Sequence, residues 1–434
     1  MSSRILRQVY LPAKGGLDST PDSILLTPVD LATASNIEYE QHGGRFKRGG
    51  TIRYNAVQAT LSGTAATISA AADFWRHGTA RDASQKIVLV ATTQSAGAIY
   101  SGGVDGSLTL LKAPWSAGGR PVNIRIAQGL AIFSDGVDTV QSWDQTTMTT
   151  LSICMPNFEG TTYHLRRLFY FGVTGSATAS SSVGYTVAGN VADATGSDAG
   201  AFIFDEDDGD RVMGVSDPWR ERIFVYKGPN KGSVHFIGGT SPTTFTKGVV
   251  FRQAAACVSH RGIITTSNDI YWCSRYGFHS LQATEKYGDT EEAYLSFPVQ
   301  AQFNALNIAR LNQVVGFYNP ARNLVGWAAP NGTSIQNDIV FTYNNLLRFW
   351  SIWTFAGFNP ASFMIGLDPA GGTQKPLLFI GDYGGFLHKG DQSAKADDNA
   401  ATAYTATAST PMMLTFPGKD ALTEALWDGL TPII

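Results

Sequence analysis

A two-strand unit recurs along this chain, and its spacing is the strongest constraint on the fold. Each copy has a short apolar run, a turn rich in Gly, Asn or Asp, and a second run that carries an aromatic residue or Ile. GLAIFSDGVDTVQSW from Gly129 and PLLFIGDYGGFLHKGD from Pro376 are two examples. Turn residues that accept positive φ, placed between two strand-forming runs, predict a β-hairpin.

The copies recur at the length of a propeller blade. Their mean spacing is about 48 residues, and a blade of four strands with its turns takes about 40–50. A β-sandwich has no reason for so long a period. We therefore expect an all-β protein, a β-propeller of six or seven blades with N- and C-terminal extensions, rather than a generic β-rich protein. The first apolar residues of the seven copies are Ile87, Leu130, Leu168, Ile223, Ile263, Leu324 and Leu377.

Composition supports the same fold class. Charged residues make up 15% of the chain and there are 46 glycines, which suits strands and tight turns better than helices. We expect at least about 35% strand and under about 15% helix, well away from the average soluble mixture.

The regions outside the repeats divide the chain. Residues 1–70 are expected to form an extension that packs on the propeller or on a neighbouring subunit. Residues 71–390 are expected to form the propeller, and 391–434 a C-terminal segment. The Gly/Ser/Ala-rich stretch 173–201 has little to bury and predicts an inserted loop or extended hairpin. A short helix is expected around 28–35.

Two segments are candidates for contacts with partner proteins. One is the basic group at 45–48, which we assign to a contact with a protein partner rather than to the lining of a DNA channel. The other is KDALTEALWDGL, residues 419–430, whose apolar spacing is compatible with a short amphipathic helix. The candidate interface residues are Arg45, Lys47, Arg48, Leu422, Leu426 and Trp427.

Charge and cysteine usage exclude several classes of protein. The net charge of −3 gives no strong attraction to nucleic acid, and no run of Lys and Arg exceeds two residues. The three cysteines do not form a disulfide framework, which indicates folding in a reducing cytosol. We expect neither a signal peptide nor insertion into a membrane, because no apolar stretch is long enough.

Two groups of residues resemble chemical sites. The acidic run DEDDGD at 205–210 has carboxylates for glycoside hydrolysis or for Ca²⁺, but its spacing is not that of an EF-hand, and a solvated turn before a strand at 211–215 is the preferred interpretation. Cys257 with His260, and Cys273 with His279, superficially resemble a zinc site. Their surroundings have strand character, so we interpret them as core residues.

No motif for nucleotide binding or for an exposed catalytic serine occurs in the sequence. We therefore expect no enzyme activity, no metal and no cofactor, and we expect EDTA to leave the stability unchanged.

Three stretches of sequence resemble one protein family, the tail-hub or nozzle proteins of short-tailed phages (podoviruses), also called packaged-DNA stabilisation proteins. The first, 15–55, contains G-G-L-D, then A-S-N-I, then G-G-R-F-K-R-G-G. The second, 208–281, contains RIFVYKGPNKGSVHF and NDIYWCSRYGFHSL. The third, 315–355, contains FYNPARNLVGW and IVFTYNNLLRFW. Together they cover about half of the chain, in the family's order.

The resemblance implies a structural subunit of the virion that is assembled in the host cytoplasm. It implies a homohexameric ring below the portal and adaptor proteins, around the channel through which genomic double-stranded DNA leaves. Tail fibre, spike or needle proteins would attach to this ring. The alternative is a carbohydrate-binding or carbohydrate-cleaving propeller for receptor recognition, in which Tyr271, Trp272, Trp350 and Trp353 would stack on sugars.

Overall fold

The chain folds into a ring of seven small antiparallel sheets. The structure is a computed structural model and describes residues 16–19, 30–39, 44–76, 85–115, 120, 122–152, 154–175, 177–252, 256–287, 295–369, 376–398 and 402–409. Strand makes up 48% of the structure and helix 7%. The predicted all-β class and the β-propeller are confirmed, with seven blades.

The strands follow one another blade by blade. Before the ring come β1 (Thr33–Ser35), β2 (Ile37–Tyr39), β3 (Arg45–Lys47), β4 (Gly50–Arg53), β5 (Thr60–Leu61) and β6 (Thr64–Ala65). Blade one contains β7 (Thr67–Phe74), β8 (Lys86–Thr92), β9 (Gly97–Gly102) and β10 (Leu108–Lys112). Blade two contains β11 (Asn123–Ala127), β12 (Leu130–Ser134), β13 (Gln141–Trp143) and β14 (Met148–Thr150).

Blades three to five continue the series. Blade three contains β15 (Gly160–His164), β16 (Arg167–Phe171), β17 (Ser182–Tyr185) and β18 (Gly200–Ile203). Blade four contains β19 (Arg211–Val215), β20 (Ile223–Gly228), β21 (Ser233–Gly238) and β22 (Thr246–Arg252). Blade five contains β23 (Ile264–Thr265), β24 (Ile270–Cys273) and β25 (Phe278–Ser280).

The last two blades also use strands from both ends of the described chain. Blade six contains β26 (Val315–Asn319), β27 (Leu324–Ala329), β28 (Ile339–Asn344) and β29 (Phe349–Trp353). Blade seven contains β30 (Pro360–Gly366), β31 (Leu377–Asp382) and β32 (Leu387–Gln392). They are followed by β33 (Ala396–Asp397), β34 (Thr402–Ala403) and β35 (Thr407–Ser409).

Helices are few and short among the described residues. The α-helices are α1 (Ala177–Ser180), α2 (Leu281–Tyr287) and α3 (Gln300–Asn304), and the 3₁₀ turns are η1 (His260–Gly262), η2 (Phe297–Val299) and η3 (Ile308–Gln313). Within the described ranges, no helix has the length and apolar character needed to cross a membrane.

The repeat in the sequence marks one position in each blade. Six of the seven predicted starts lie in the second strand of a blade, from Ile87 in β8 to Leu377 in β31. Ile263 falls between η1 and β23 of blade five. Each copy therefore belongs to a different blade.

Both faces of most blades are buried, which explains the continuous apolar runs. Seven apolar clusters fill the seven interfaces between neighbouring blades. In β8, Leu89 faces the interface with blade seven while Val88 and Val90 face that with blade two. Because side chains alternate along a strand, a strand between two such interfaces needs apolar residues at every position.

The ring is closed by the N-terminal segment. The innermost strands of blades one and seven, β7 and β30, lie side by side, and β4 pairs with β32 as the outermost strand of blade seven. In blade six, β1 pairs with β29 and with β35. Strands β1 and β4 are thus built into blades six and seven, while β2 and β3 form a separate hairpin.

Two local predictions can be compared with the structure. Residues 33–35 form strand β1, so a helix there is wrong. Pairing with β29 and β35 satisfies backbone groups that a short isolated helix would leave open to water. The stretch 173–201 contains α1, β17 and the start of β18, and its turn-rich part joins two strands of blade three.

Candidate functional site

An open cleft lies beside the turn η1, at one end of the ring. Its lining includes residues at or near the starts of the innermost strands β7, β11, β26 and β30, and the cleft has a volume of about 770 Å³. Its walls come from the β5–β6 hairpin, the β8–β9 turn, η3, and turns of blades six and seven. We call it the axial cleft.

Three arginines give the axial cleft its charge. Arg120, Arg261 and Arg310 line it, and no Asp or Glu is among its described lining residues. Arg120 lies 3.8 Å from the carboxylate of Asp138 and 4.0 Å from that of Asp135, so it is partly neutralised. Within the part of the chain that the structure describes, no carboxylate lies within ion-pair distance of Arg261 or Arg310.

Arg261 forms part of the cleft and lies close to its floor. Its guanidinium donates one hydrogen bond to the carbonyl oxygen of Ser69, at 3.2 Å, and its buried Nε has no acceptor among the described residues. Burial lowers the pKa of Arg261 to about 10, an effect opposed by Tyr383. Because that pKa is still well above 7, the group remains a cation at neutral pH.

The turn η1 carries His260 and Arg261 across the axis of the propeller. It lies between β19 and β26, and the His260 ring contacts Phe171 of blade three with centroids 5.2 Å apart. Its Nε2 lies 3.3 Å from the amide nitrogen of Asn123 in blade two. A Cβ on Gly160 would come within 2.8 Å of that Nε2, so glycine permits the approach. Burial lowers the pKa of His260 to about 3.

A polar network lies beside His260. The carboxylate of Asp217 accepts hydrogen bonds from Arg125 and from the hydroxyl of Thr162. Arg125 also donates to the carbonyl oxygen of Thr161. These groups join blades two, three and four through one another. The arrangement is that of a structural network along the axis.

The basic residues assigned to a partner have different surroundings. Arg48 is only 1% exposed and binds Asp397 through two hydrogen bonds, at 3.0 and 2.5 Å. Arg48 is therefore an interior residue, and its charge is paired with Asp397 of the same chain. Its assignment to a partner surface needs correction. Arg45 and Lys47 are half-buried, and the Lys47 ammonium lies 4.2 Å from the centre of the Tyr404 ring.

The second group of interface candidates, Leu422, Leu426 and Trp427, lies outside the described residues.

The acidic run 205–210 is engaged within blade four. Asp208 forms an ion pair with the fully buried Lys227 at 2.7 Å, and Asp205 pairs with Arg252. The carboxylate of Asp210 accepts hydrogen bonds from three successive backbone N–H groups of the β20–β21 turn, at 2.7 to 2.9 Å. These contacts position the turn that precedes β19, at 211–215 as expected.

The Cys and His residues of the zinc-like pattern are engaged in packing contacts and hydrogen bonds. His279 stacks on Trp272, with centroids 5.2 Å apart, and shares a hydrogen bond with Ser274. Cys257 is in the blade four–five core, and burial raises the pKa of its thiol to about 12. Across the described residues, no group of three or more His, Cys, Asp or Glu side chains is arranged to hold a metal ion.

Sequence reasoning missed the axial cleft. Its three arginines are far apart along the chain and belong to connections that precede or replace innermost strands. A usable signal was their position: each falls shortly before the apolar run of a blade, where connections reach the same face of a propeller.

Comparisons with known proteins bear on the fold of this chain alone. No protein-family model and no curated protein matches the sequence. A streptogramin B lyase is 10% identical, with 79% of this chain and 97% of that chain covered and a TM-score of 0.45. YCF48 bound to a D1 peptide is 9% identical, covering 82% and 98%, with a TM-score of 0.46. A catalytically inactive virginiamycin B lyase from Staphylococcus aureus with quinupristin is 8% identical, covering 77% and 98%, with a TM-score of 0.49.

Proposed function

We propose that this chain is a non-enzymatic structural subunit of a short phage tail. Six copies would form a nozzle or hub ring around the DNA exit channel, retain the packaged genome and attach fibres, spikes or a needle. One observation carries the proposal. The three stretches that resemble the tail-hub family contain β1–β4 and the strands of blades four, five and six. Of these, β1 and β4 close the propeller by pairing with blades six and seven.

The side chains at the axis of the propeller are an argument for an assembly of several copies. His260 and Arg261 occupy it and contact other blades, so a single subunit offers no passage for a duplex. A conduit made from this protein must therefore lie between subunits. A closed ring requires each subunit to present two different, complementary faces.

The contacts of the titratable groups support a structural role. The carboxylates of the acidic run bind cations and backbone N–H groups of the same blade. The aromatic residues that the carbohydrate alternative would use are buried: Tyr271 is 6%, Trp272 0%, Trp350 2% and Trp353 3% exposed. They pack in the interfaces between blades, so this alternative loses its stacking surface.

We expect six copies of this chain around the tail axis of the virion. The measurement is an electron-microscopy map of the assembled tail, with the isolated protein imaged alone and with its adaptor ring as the control. A monomeric isolated chain is compatible with the proposal, because the adaptor can template the ring. Three or twelve copies at this position, or no copy in the tail, would contradict the proposal.

We expect the isolated protein to bind duplex DNA with no measurable affinity at physiological salt. Tight binding to phosphates releases many counterions and would oppose sliding of the genome, whereas the chain has 32 basic against 35 acidic residues. Virions that lack the protein should nevertheless lose their DNA. Strong, salt-sensitive duplex binding, or full DNA retention without the protein, would argue against a conduit of this kind.

A further inference from the structure

The axial cleft has a local charge opposite to that of the whole chain. The protein carries a net charge of −3, while three guanidinium groups and no described carboxylate line this cavity. Among the described residues, Arg120 alone of the three has carboxylates nearby, at 3.8 and 4.0 Å. The site therefore has two cations, Arg261 and Arg310, whose charge no described residue neutralises.

Arg261 is held ready for an anionic ligand. One of its nitrogens is fixed by the carbonyl oxygen of Ser69, while its buried Nε has no acceptor among the described residues. A buried donor without a partner is costly, and an acceptor from a ligand would remove that cost. Arg310 is exposed at the rim, where a ligand can reach it without rearrangement of the fold.

The rest of the lining indicates which class of anion fits. Eleven of the 20 lining residues are Ser, Thr, Asn or Gln, which supply both donors and acceptors. That mixture matches the alternating N–H and C=O groups of a peptide backbone. Tyr383 is the one aromatic residue among the described lining residues, whereas sugars and nucleobases usually bind on aromatic faces.

We propose that the axial cleft binds an acidic peptide segment of a partner protein. Carboxylates of the segment would bind Arg261 and Arg310, because the planar guanidinium matches a carboxylate through two parallel hydrogen bonds. The hydroxyl and carboxamide groups of the rim would bind its backbone. The site goes beyond the proposed role as a ring subunit and does not depend on it.

The test is a fluorescence anisotropy titration of the full-length protein. The probe is a short peptide in which glutamate alternates with serine, carrying a neutral dye, and the matched probe has glutamine in place of glutamate. We expect saturable binding of the acidic probe only. Arg310→Gln and Arg261→Gln should each weaken it about tenfold or more.

Arg275→Gln is the matched control, since Arg275 is an exposed arginine that does not line the cleft, and it should bind as the wild type does. Arg310 is exposed, so its variant is expected to fold even if Arg261→Gln does not. Equal affinity of Arg310→Gln and wild type, equal binding of both probes, or binding of a sulfated disaccharide or of duplex DNA in place of the acidic probe would overturn the proposal. The number of copies in the tail is measured separately, so failure here leaves the ring proposal standing.

Discussion

Arg48→Ala should lower the free energy of unfolding by about 3–5 kcal/mol, the cost of breaking a buried ion pair from one side. Both side chains are almost completely buried, at 1% and 0% exposed, and the variant leaves the Asp397 carboxylate without its cation. The guanidinium also donates to the carbonyl oxygen of Thr354 at 2.7 Å and packs against the rings of Phe355 and Tyr404. Urea unfolding followed by tryptophan fluorescence measures the change.

The neighbouring pair supplies a matched control. Arg53 and Asp398 join the same two segments at 2.6 Å, but the arginine side chain is 32% exposed. Arg53→Ala should therefore cost only about 1 kcal/mol or less. The double variant Arg48→Met with Asp397→Leu should recover much of the lost stability, because it removes both buried charges. Equal effects of Arg48→Ala and Arg53→Ala would refute the role of burial.

Acid should destabilise the fold through its buried histidines. Burial lowers the pKa of His279 to about 3 and that of His235 to about 4, from 6.5 in the unfolded chain. Between those values the unfolded state binds more protons than the folded state, so stability is present above pH 6.5 and falls as the pH decreases. A histidine with a folded pKa of about 3 should cost about 2 kcal/mol between pH 6.5 and 4.5.

His279→Gln and His279→Phe isolate this titration from packing. Both replacements lack a titrating group at this position, so each should flatten the dependence of the unfolding free energy on pH between 6.5 and 3, by at most about 1.4 kcal/mol per pH unit. Their offsets at pH 7 are expected to differ, because only Gln can keep a hydrogen bond to Ser274. A slope identical to that of the wild type in both variants would show that His279 is not buried as a neutral imidazole.

The repeat determined the propeller because the physics of each blade is local. The apolar runs and turn residues of a hairpin are contiguous, so Ile87, Leu130, Leu168, Ile223, Leu324 and Leu377 mark second strands before any tertiary contact is known. With Ile263, which falls just before β23, the seven copies match the seven blades, within the predicted six or seven. The turn at 205–210 and the strand at 211–215 were predictable for the same reason.

Ring closure and the axial cleft were decided only by the tertiary structure. Residues 33–35 have no strong strand pattern of their own and become β1 because β29 and β35 offer unpaired edges. Arg48 looks like a surface residue in a basic run, and it is buried because Asp397, about 350 positions away, reaches it. Arg261 and Arg310 line the same cleft because connections between blades reach one face of a closed ring. Sequence separation conceals such contacts, since spacing along the chain reports only on neighbours within a strand, turn or helix.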